Sequence, residues 1–279
     1  MVVSLYAKPK MTPQAASLLP KKTGKVGRRK GGTDHTRTCT GPMLARMRLS
    51  ALGCEFLGTE DDMPQTQLDH IVITAPSLAA GAAYVHRTLG VAPQKGGEHP
   101  QMGTHNCVVK LGQGRTYLEV IAANPNARSP QRSRWFGLDH VRPDDPPRLA
   151  TWVARTDDIQ AAVSLSPVPL GSIEHMTRDQ LHWNITIPKD GGLPCQGIAP
   201  TLIQWPQGTH PTVTMNDLGC SLVGLEAFHP EAGRVSAMLQ AIGFDGEISI
   251  RVLPCGASPF LVVHIRSPLG VRQFRRAAY

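Results

Sequence analysis

Four side chains in the first half of the chain are of the types that metal or acid–base chemistry uses: His70, His99, His105 and Glu119. His99 and His105 stand six positions apart in "GGEHPQMGTHN" (96–106), while His70 lies in "LDHIVITA" (68–75) and Glu119 in "RTYLEVIAA" (115–123). Alternation along a strand sends Leu68, His70 and Val72 to one face and Asp69, Ile71 and Ile73 to the other. The same rule groups Tyr117, Glu119 and Ile121, and it groups His105 with Cys107 and Val109. An imidazole and a carboxylate set in apolar strands are costly to bury without partners. Strands that curve to bring these faces together make His70, His105 and Glu119 a 2-His-1-carboxylate set, which suits zinc or non-haem iron with open positions. Simpler readings stand beside it. Each histidine can be a hydrogen-bonded core residue, and Glu119 can pair with Lys110 or Arg115 in an exposed ion pair worth about 0–1 kcal/mol. His105, which opens a strand, is the stronger candidate; His99 is expected at the rim of the glycine-framed loop, as a lid or substrate contact.

The elements that must position these groups follow a repeating order. "LDHIVITA" reads as a β-branched strand; Pro76 and Ser77 break it, Ser77 caps a helix through "LAAGAAYVHRTLG", and Gly90 ends it. Strands over 105–112 and 115–123 follow, joined by the tight turn "GQGR". The order recurs with a strand at 148–156, the short helix "DDIQAAVSLS", and strands at 181–188 and 199–205. A third round has a strand at 220–228, a helix at 230–244, and strands at 247–253 and 259–267. Proline-rich connections at 143–147 and 206–211 separate the rounds. Units that each expose one apolar sheet face should pair edge to edge into a curved sheet with helices outside, an α+β arrangement.

Bulk composition narrows the class. Hydrophobic content of 41% and charged content of 18% describe an ordinary soluble globular chain, and no apolar run approaches a membrane span. The net charge of +8 is unevenly spread: residues 1–50 hold 11 of the 29 Lys and Arg but one of the 21 Asp and Glu, leaving 18 basic against 20 acidic residues in 51–279. Nucleic acid is therefore not indicated as a partner of the body of the chain. Residues 1–62 read as a disordered basic extension, with a nucleic-acid arm, a transit peptide, or sequence upstream of a true start at Met63 as competing readings. The six cysteines form no C-x-x-C pair and read as reduced thiols, so a cytoplasmic location is expected.

"LDHIVITAPSL", "GGEHPQMGTHN" and "YLEVIA" together resemble the glyoxalase-like branch of the vicinal oxygen chelate superfamily, and "LIQWPQGTHP" (202–211) resembles the closing strand of such a domain. The resemblance covers 68–211. It implies paired β-α-β-β-β modules (about 68–123 and 148–205 within a domain at 63–211) forming a glyoxalase/bleomycin-resistance-like cup around a divalent metal. The unit at 212–279 would pack on that sheet or extend it. His70 and Glu119 match the family's first-strand and last-strand ligands, with His105, or less favourably His99, as a further site residue. The second module departs from the pattern. Thr151 and Trp152 stand where its first-strand ligand belongs, Ile203 and Gln204 where a carboxylate belongs, and neither His182 nor His210 substitutes in register.

The expectation is thus a lyase or isomerase in which a divalent metal (Zn, Fe, Mn or Ni), held by His70, His105 and Glu119, chelates neighbouring oxygens of a small substrate. Glu119 and His105 are the candidate catalytic groups. His99, Asn106, Trp152 and Trp183 are the candidate substrate contacts, with Trp205 completing an aromatic wall. A non-catalytic binding protein with the same cup and no metal, or a non-haem iron ring-cleaving dioxygenase, are the alternatives. A homodimer is compatible with each.

Overall fold

The computed structural model describes residues 63–275. The proposals made for residues 1–62 lie outside the described residues. The first round of elements is β1 (Thr66–Thr74), α1 (Leu78–Leu89), β2 (Gln94–His99), β3 (Thr104–Lys110) and β4 (Tyr117–Ala123). The Ser77 side chain accepts the Ala80 N–H at the start of α1, and Gly90 closes the helix in the left-handed conformation, φ 75°. The second round is β5 (Arg148–Thr156), α2 (Ile159–Leu165), β6 (Ser172–Arg178), β7 (Leu181–Ile187) and β8 (Thr201–Gln204). Each is therefore a β-α-β-β-β module.

These strands form one eight-stranded sheet in the order β2-β3-β4-β1-β5-β8-β7-β6. The two modules meet where β1 runs antiparallel to β5; within them β1 pairs in parallel with β4, and β5 with β8. The sheet curls until its two edges approach: the Thr177 N–H of β6 donates to Gln101, just beyond β2, at 3.1 Å. The expected α+β cup with helices outside is the observed fold. The third round, β9 (Ser221–His229), α3 (Ala232–Ala241), β10 (Ser249–Val252), β11 (Phe260–Ser267) and β12 (Gly270–Arg275), makes a separate four-stranded sheet in the order β10-β9-β11-β12.

The strands that the sequence pattern did not announce, β2, β6 and β12, are all sheet edges. Edge strands carry polar residues and glycine because only one side of the ladder is paired, so the apolar alternation that marks interior strands is absent. "QKGGEH", "SIEHMTR" and "GVRQFR" have that character.

Two cores divide the faces of the large sheet. Ile71, Ile73, Leu118, Val120 and Trp152 point outward and pack with α1, α2 and the inner face of the small sheet, including Leu225, Val263 and Phe274. Val72, Ile121, Val153, Ile185 and Ile203 point into the cup, where they meet Met102, Trp135 and Trp183. No helix among the described residues is long and apolar enough to cross a membrane. Of the cysteines, the described Cys107, Cys195, Cys220 and Cys255 are all unpaired.

Candidate functional site

The cup encloses a cavity of about 450 Å³ whose lining includes His70, His99, Asn106, Glu119, Arg178 and Trp183. His70 comes from β1 and Glu119 from β4, as the alternation requires, and their tips lie close: His70 Nε2 is 3.5 Å from Glu119 Oε2. Both are buried, at 3% and 5% exposure.

Simple alternation fails at Asp69. The β1–β5 register slips between Leu68 and His70, because Leu68 pairs with Ala154 and His70 with Val153, so Asp69 is an extra residue in the ladder. Such a bulge re-aims one side chain. Leu68 consequently packs with the outer core, and Asp69 turns to the same side as His70, whose Nδ1 lies 2.7 Å from Asp69 Oδ1. The other oxygen, Oδ2, accepts the Trp205 indole N–H at 3.1 Å and His210 Nε2 at 3.0 Å. The Thr212 N–H donates to His210 Nδ1 at 3.3 Å, which fixes Nε2 as the protonated nitrogen. Asp69, fully inaccessible to solvent, is thus a carboxylate satisfied by three donors.

The opposing environments of these groups set their charges. Burial by itself would raise the pKa of Asp69, but hydrogen bonds from His210 and His70 outweigh it and hold the carboxyl well below its usual range. Burial would lower the His70 value, yet the bonds to Asp69 and Glu119 and their charges raise it from 6.5 to about 9. Glu119 is taken down from 4.5 to about 2: burial opposes this, and His70, His99 and Asn106 drive it. The Tyr117 ring stacks on His70 with centroids 4.5 Å apart and covers the pair.

Asn106, on β3, orients Glu119. Its Oδ1 accepts the Gly97 N–H at 2.7 Å, so its Nδ2 faces Glu119 Oε1, at 2.5 Å. That close approach explains the glycine pair in the motif. A Cβ at Gly96 would fall 2.0 Å from Asn106 Oδ1, and one at Gly97 would fall 2.5 Å from Cδ of Arg178.

Several sequence expectations are corrected by these placements. His105 does not reach the cavity: Asn106 and Val108 line it, and strand alternation turns His105, Cys107 and Val109 the other way. His99 is no rim residue but the buried last residue of β2, 5% exposed, inside the cavity wall. Trp152 faces the outer core, donating its indole N–H to the Ile198 carbonyl at 2.9 Å and meeting Phe244 edge-on. Trp183 and Asn106 do line the cavity. His182 is exposed on β7. Asp69, His210 and Arg178 were not among the sequence candidates. Only the "HP" ending of "LIQWPQGTHP" hinted at His210, while the bulge and the polar edge strand left no signal for the other two.

The chelating centre implied by the family resemblance finds two donors, His70 and Glu119. Facing the cup from β5 and β8 stand Val153 and Ile203, two side chains with no donor atom. Among the described residues, no three His, Cys, Asp or Glu side chains are grouped to hold a metal ion. The donor set does not fit a metal centre of that kind.

A family model described as a glyoxalase-like domain matches residues 68–243, more than half of the chain. No curated protein matches. Among solved structures, a hypothetical protein from Staphylococcus aureus aligns over 75% of this chain and 84% of its own, at 15% identity and a TM-score of 0.46. Methylmalonyl-CoA epimerase from Mycobacterium tuberculosis aligns over 50% and 87%, at 16% identity and a TM-score of 0.34. A mutant 4-hydroxymandelate synthase from Streptomyces coelicolor aligns over 76% and 63%, at 13% identity and a TM-score of 0.42. The sequence resemblance to the vicinal oxygen chelate superfamily is borne out.

Proposed function

Because this chain belongs to the glyoxalase-like domain family of the vicinal oxygen chelate superfamily, we propose that its cup is the active site of an isomerase or lyase that moves a proton on a small carbonyl-bearing substrate. One observation carries this reading: the His70 imidazole stands between two buried carboxylates, 2.7 Å from Asp69 and 3.5 Å from Glu119, at a cavity large enough for a small molecule. A carboxylate and an imidazole that both line one cavity can serve a bound molecule as base and acid. Glu119, held near 2, is ionised at neutral pH and accepts; His70, held near 9, is charged and donates.

The residues divide the work. Glu119 takes a proton from the carbon next to the carbonyl, and the C–H pair becomes the new C=C bond. The carbonyl π pair moves to oxygen, which receives the His70 Nε2 proton. Asp69 holds Nδ1–H throughout and keeps the ring aimed at the cavity. Asn106 fixes which carboxylate oxygen of Glu119 is free. Return of the proton to a different position gives isomerisation, and loss of a neighbouring leaving group gives elimination. The charge that a metal would meet in the expected mechanism falls on His70 here, since Val153 and Ile203 complete no chelate.

The aromatic wall supports a second reading, a binding protein without turnover: Trp183 and Trp205 lie 5.3 Å apart, centroid to centroid, and Trp135 packs edge-on to His99 at 5.1 Å. Solvent-deuterium incorporation into a panel of small carbonyl compounds, followed by NMR, separates the two. The acid–base reading expects exchange that falls about 100-fold or more in Glu119→Gln and in His70→Gln. Binding without exchange in the wild type would leave only the binding protein.

A further inference from the structure

We infer that Arg178 is the anion anchor of the cup, so that the molecule bound there is a monocarboxylate with a flat apolar body. The inference rests on the cup being the small-molecule site. It adds the chemical class of the ligand.

Arg178 is the last residue of β6, at one edge of the sheet, yet its side chain crosses to the opposite edge. Its Cδ and Nε would lie 2.5 and 2.9 Å from a Cβ at Gly97, so the glycine leaves the surface on which the guanidinium rests. Nη1 meets His99 Nε2 at 3.2 Å. A guanidinium can only donate, so Nε2 accepts, and the proton of His99 sits on Nδ1, which faces Thr104 Oγ1 at 3.1 Å. Burial chiefly keeps this imidazole neutral, lowering its pKa to about 4; the Arg178 charge adds to that effect and Glu119 opposes it. A neutral histidine orients the guanidinium without cancelling its charge.

No carboxylate among the described residues lies within ion-pair distance of it either. The ion pairs formed by Arg132, Arg134, Arg142, Arg234 and Arg251 each have an acidic partner, whereas Arg178 has none. Asp179, next in the chain, is exposed and makes no ion pair with it. Nε and Nη2 have no acceptor among the described residues, and these are the two donors that a guanidinium presents side-on to a carboxylate. A positive group held in place by packing, half-buried in a cavity wall and unpaired, is what a ligand oxyanion replaces water on. The rest of the ligand must match what faces Arg178. Trp183, Trp205 and Trp135 offer flat apolar surfaces, and stacking against such faces favours an aromatic or otherwise planar body.

The test compares phenylacetate with phenylacetamide, an uncharged analogue of the same shape, by quenching of the cavity tryptophans in the full chain. Phenylacetate should bind about tenfold more tightly or better in the wild type. Arg178→Gln should abolish that preference, and Arg178→Lys should keep part of it, which separates charge from folding should the glutamine variant melt early. Equal binding of acid and amide, no binding of either, or a preference that survives in Arg178→Gln would overturn the anchor. Glu119→Gln distinguishes this from the catalytic reading. It should still prefer the acid while failing to exchange deuterium, so a missing acid preference in the wild type counts against Arg178 alone, and exchange that survives in Glu119→Gln counts against the acid–base pair alone.

Discussion

The two modules of the large sheet share a fold and differ in chemistry. β1 and β4 place His70 and Glu119 in the cup; β5 and β8 turn Val153 and Ile203 into it. The first module is polar and charged at its centre, the second apolar there and aromatic around it, through Trp183 and Trp205. On the proposed reading one half does the proton chemistry while the other supplies the surface for the ligand body; the Arg178 side chain reaches from the second to the first. Twofold architecture therefore does not require a twofold site.

That comparison can be broken most severely at its polar centre. Asp69→Ala removes one acceptor from three buried donors and should destabilise the fold by about 3–5 kcal/mol, read from the denaturant midpoint. A smaller loss would mean that Asp69 is not what organises this half. Next in size, the asymmetry itself can be erased: Val153→His with Ile203→Glu should restore a four-donor set with His70 and Glu119. Stoichiometric zinc should then remain with the double variant after gel filtration and not with the wild type, and a zinc concentration near 100 times its Kd should add about 2.7 kcal/mol of stability. Absence of retained zinc in the double variant would show that something other than these two positions denies the metal.

The third prediction uses pH. His70 is raised from 6.5 to about 9, so its contribution to stability is complete below pH 6.5 and is lost as pH climbs through 9. His99 is lowered from 6.5 to about 4, so the unfolded chain takes up its proton first and stability falls as pH drops below 6.5. Glu119, lowered from 4.5 to about 2, adds a further loss below pH 4.5. The melting temperature should peak near pH 6.5, and His70→Gln should remove the alkaline limb between pH 6.5 and 9 while leaving the part of the acid limb that burial of His99 sets. An unchanged alkaline limb in that variant would contradict the charged His70.

Two smaller effects sharpen the picture. Gly96→Ala sets a Cβ against Asn106 and should cost about 1–3 kcal/mol by forcing that side chain aside, with a loss of exchange activity that a purely local strain would not give. Trp152→Phe removes one buried hydrogen bond, to Ile198, and should cost about 1 kcal/mol. Its effect on phenylacetate binding should be nil, because the indole faces the outer core.

How much of this was legible in the residues follows a physical division. Interior strands such as "HIVIT" and "LEVIA" are apolar on both faces or alternate strongly, so β1, β3, β4 and β5 could be read, and with them the shared face of His70 and Glu119. Ser77 and Gly90 marked the ends of α1 because capping is a local matter. Edge strands carry no such pattern, and both edges of the large sheet contribute to the site: β2 through His99, β6 through Arg178. The preference for His105 failed for a related reason. Alternation says which residues share a face but not which face looks inward, and the glycine that admits Asn106 against β2, Gly96, is understood only once the opposing strand is in place.

The sequence by itself determined the module order, the pairing of helix with sheet, the family, and the pair His70 and Glu119, since each depends on periodicities or motifs within a few residues of one another. The tertiary structure alone decided the rest. A one-residue bulge in the β1–β5 ladder turned Asp69 beneath His70, the closing loop brought His210 and Trp205 onto it from 141 and 136 positions away, and curling of the sheet laid Arg178 against Gly97. These are long-range approaches between segments with no local pattern in common, fixed by the register and curvature of a sheet rather than by any stretch of chain.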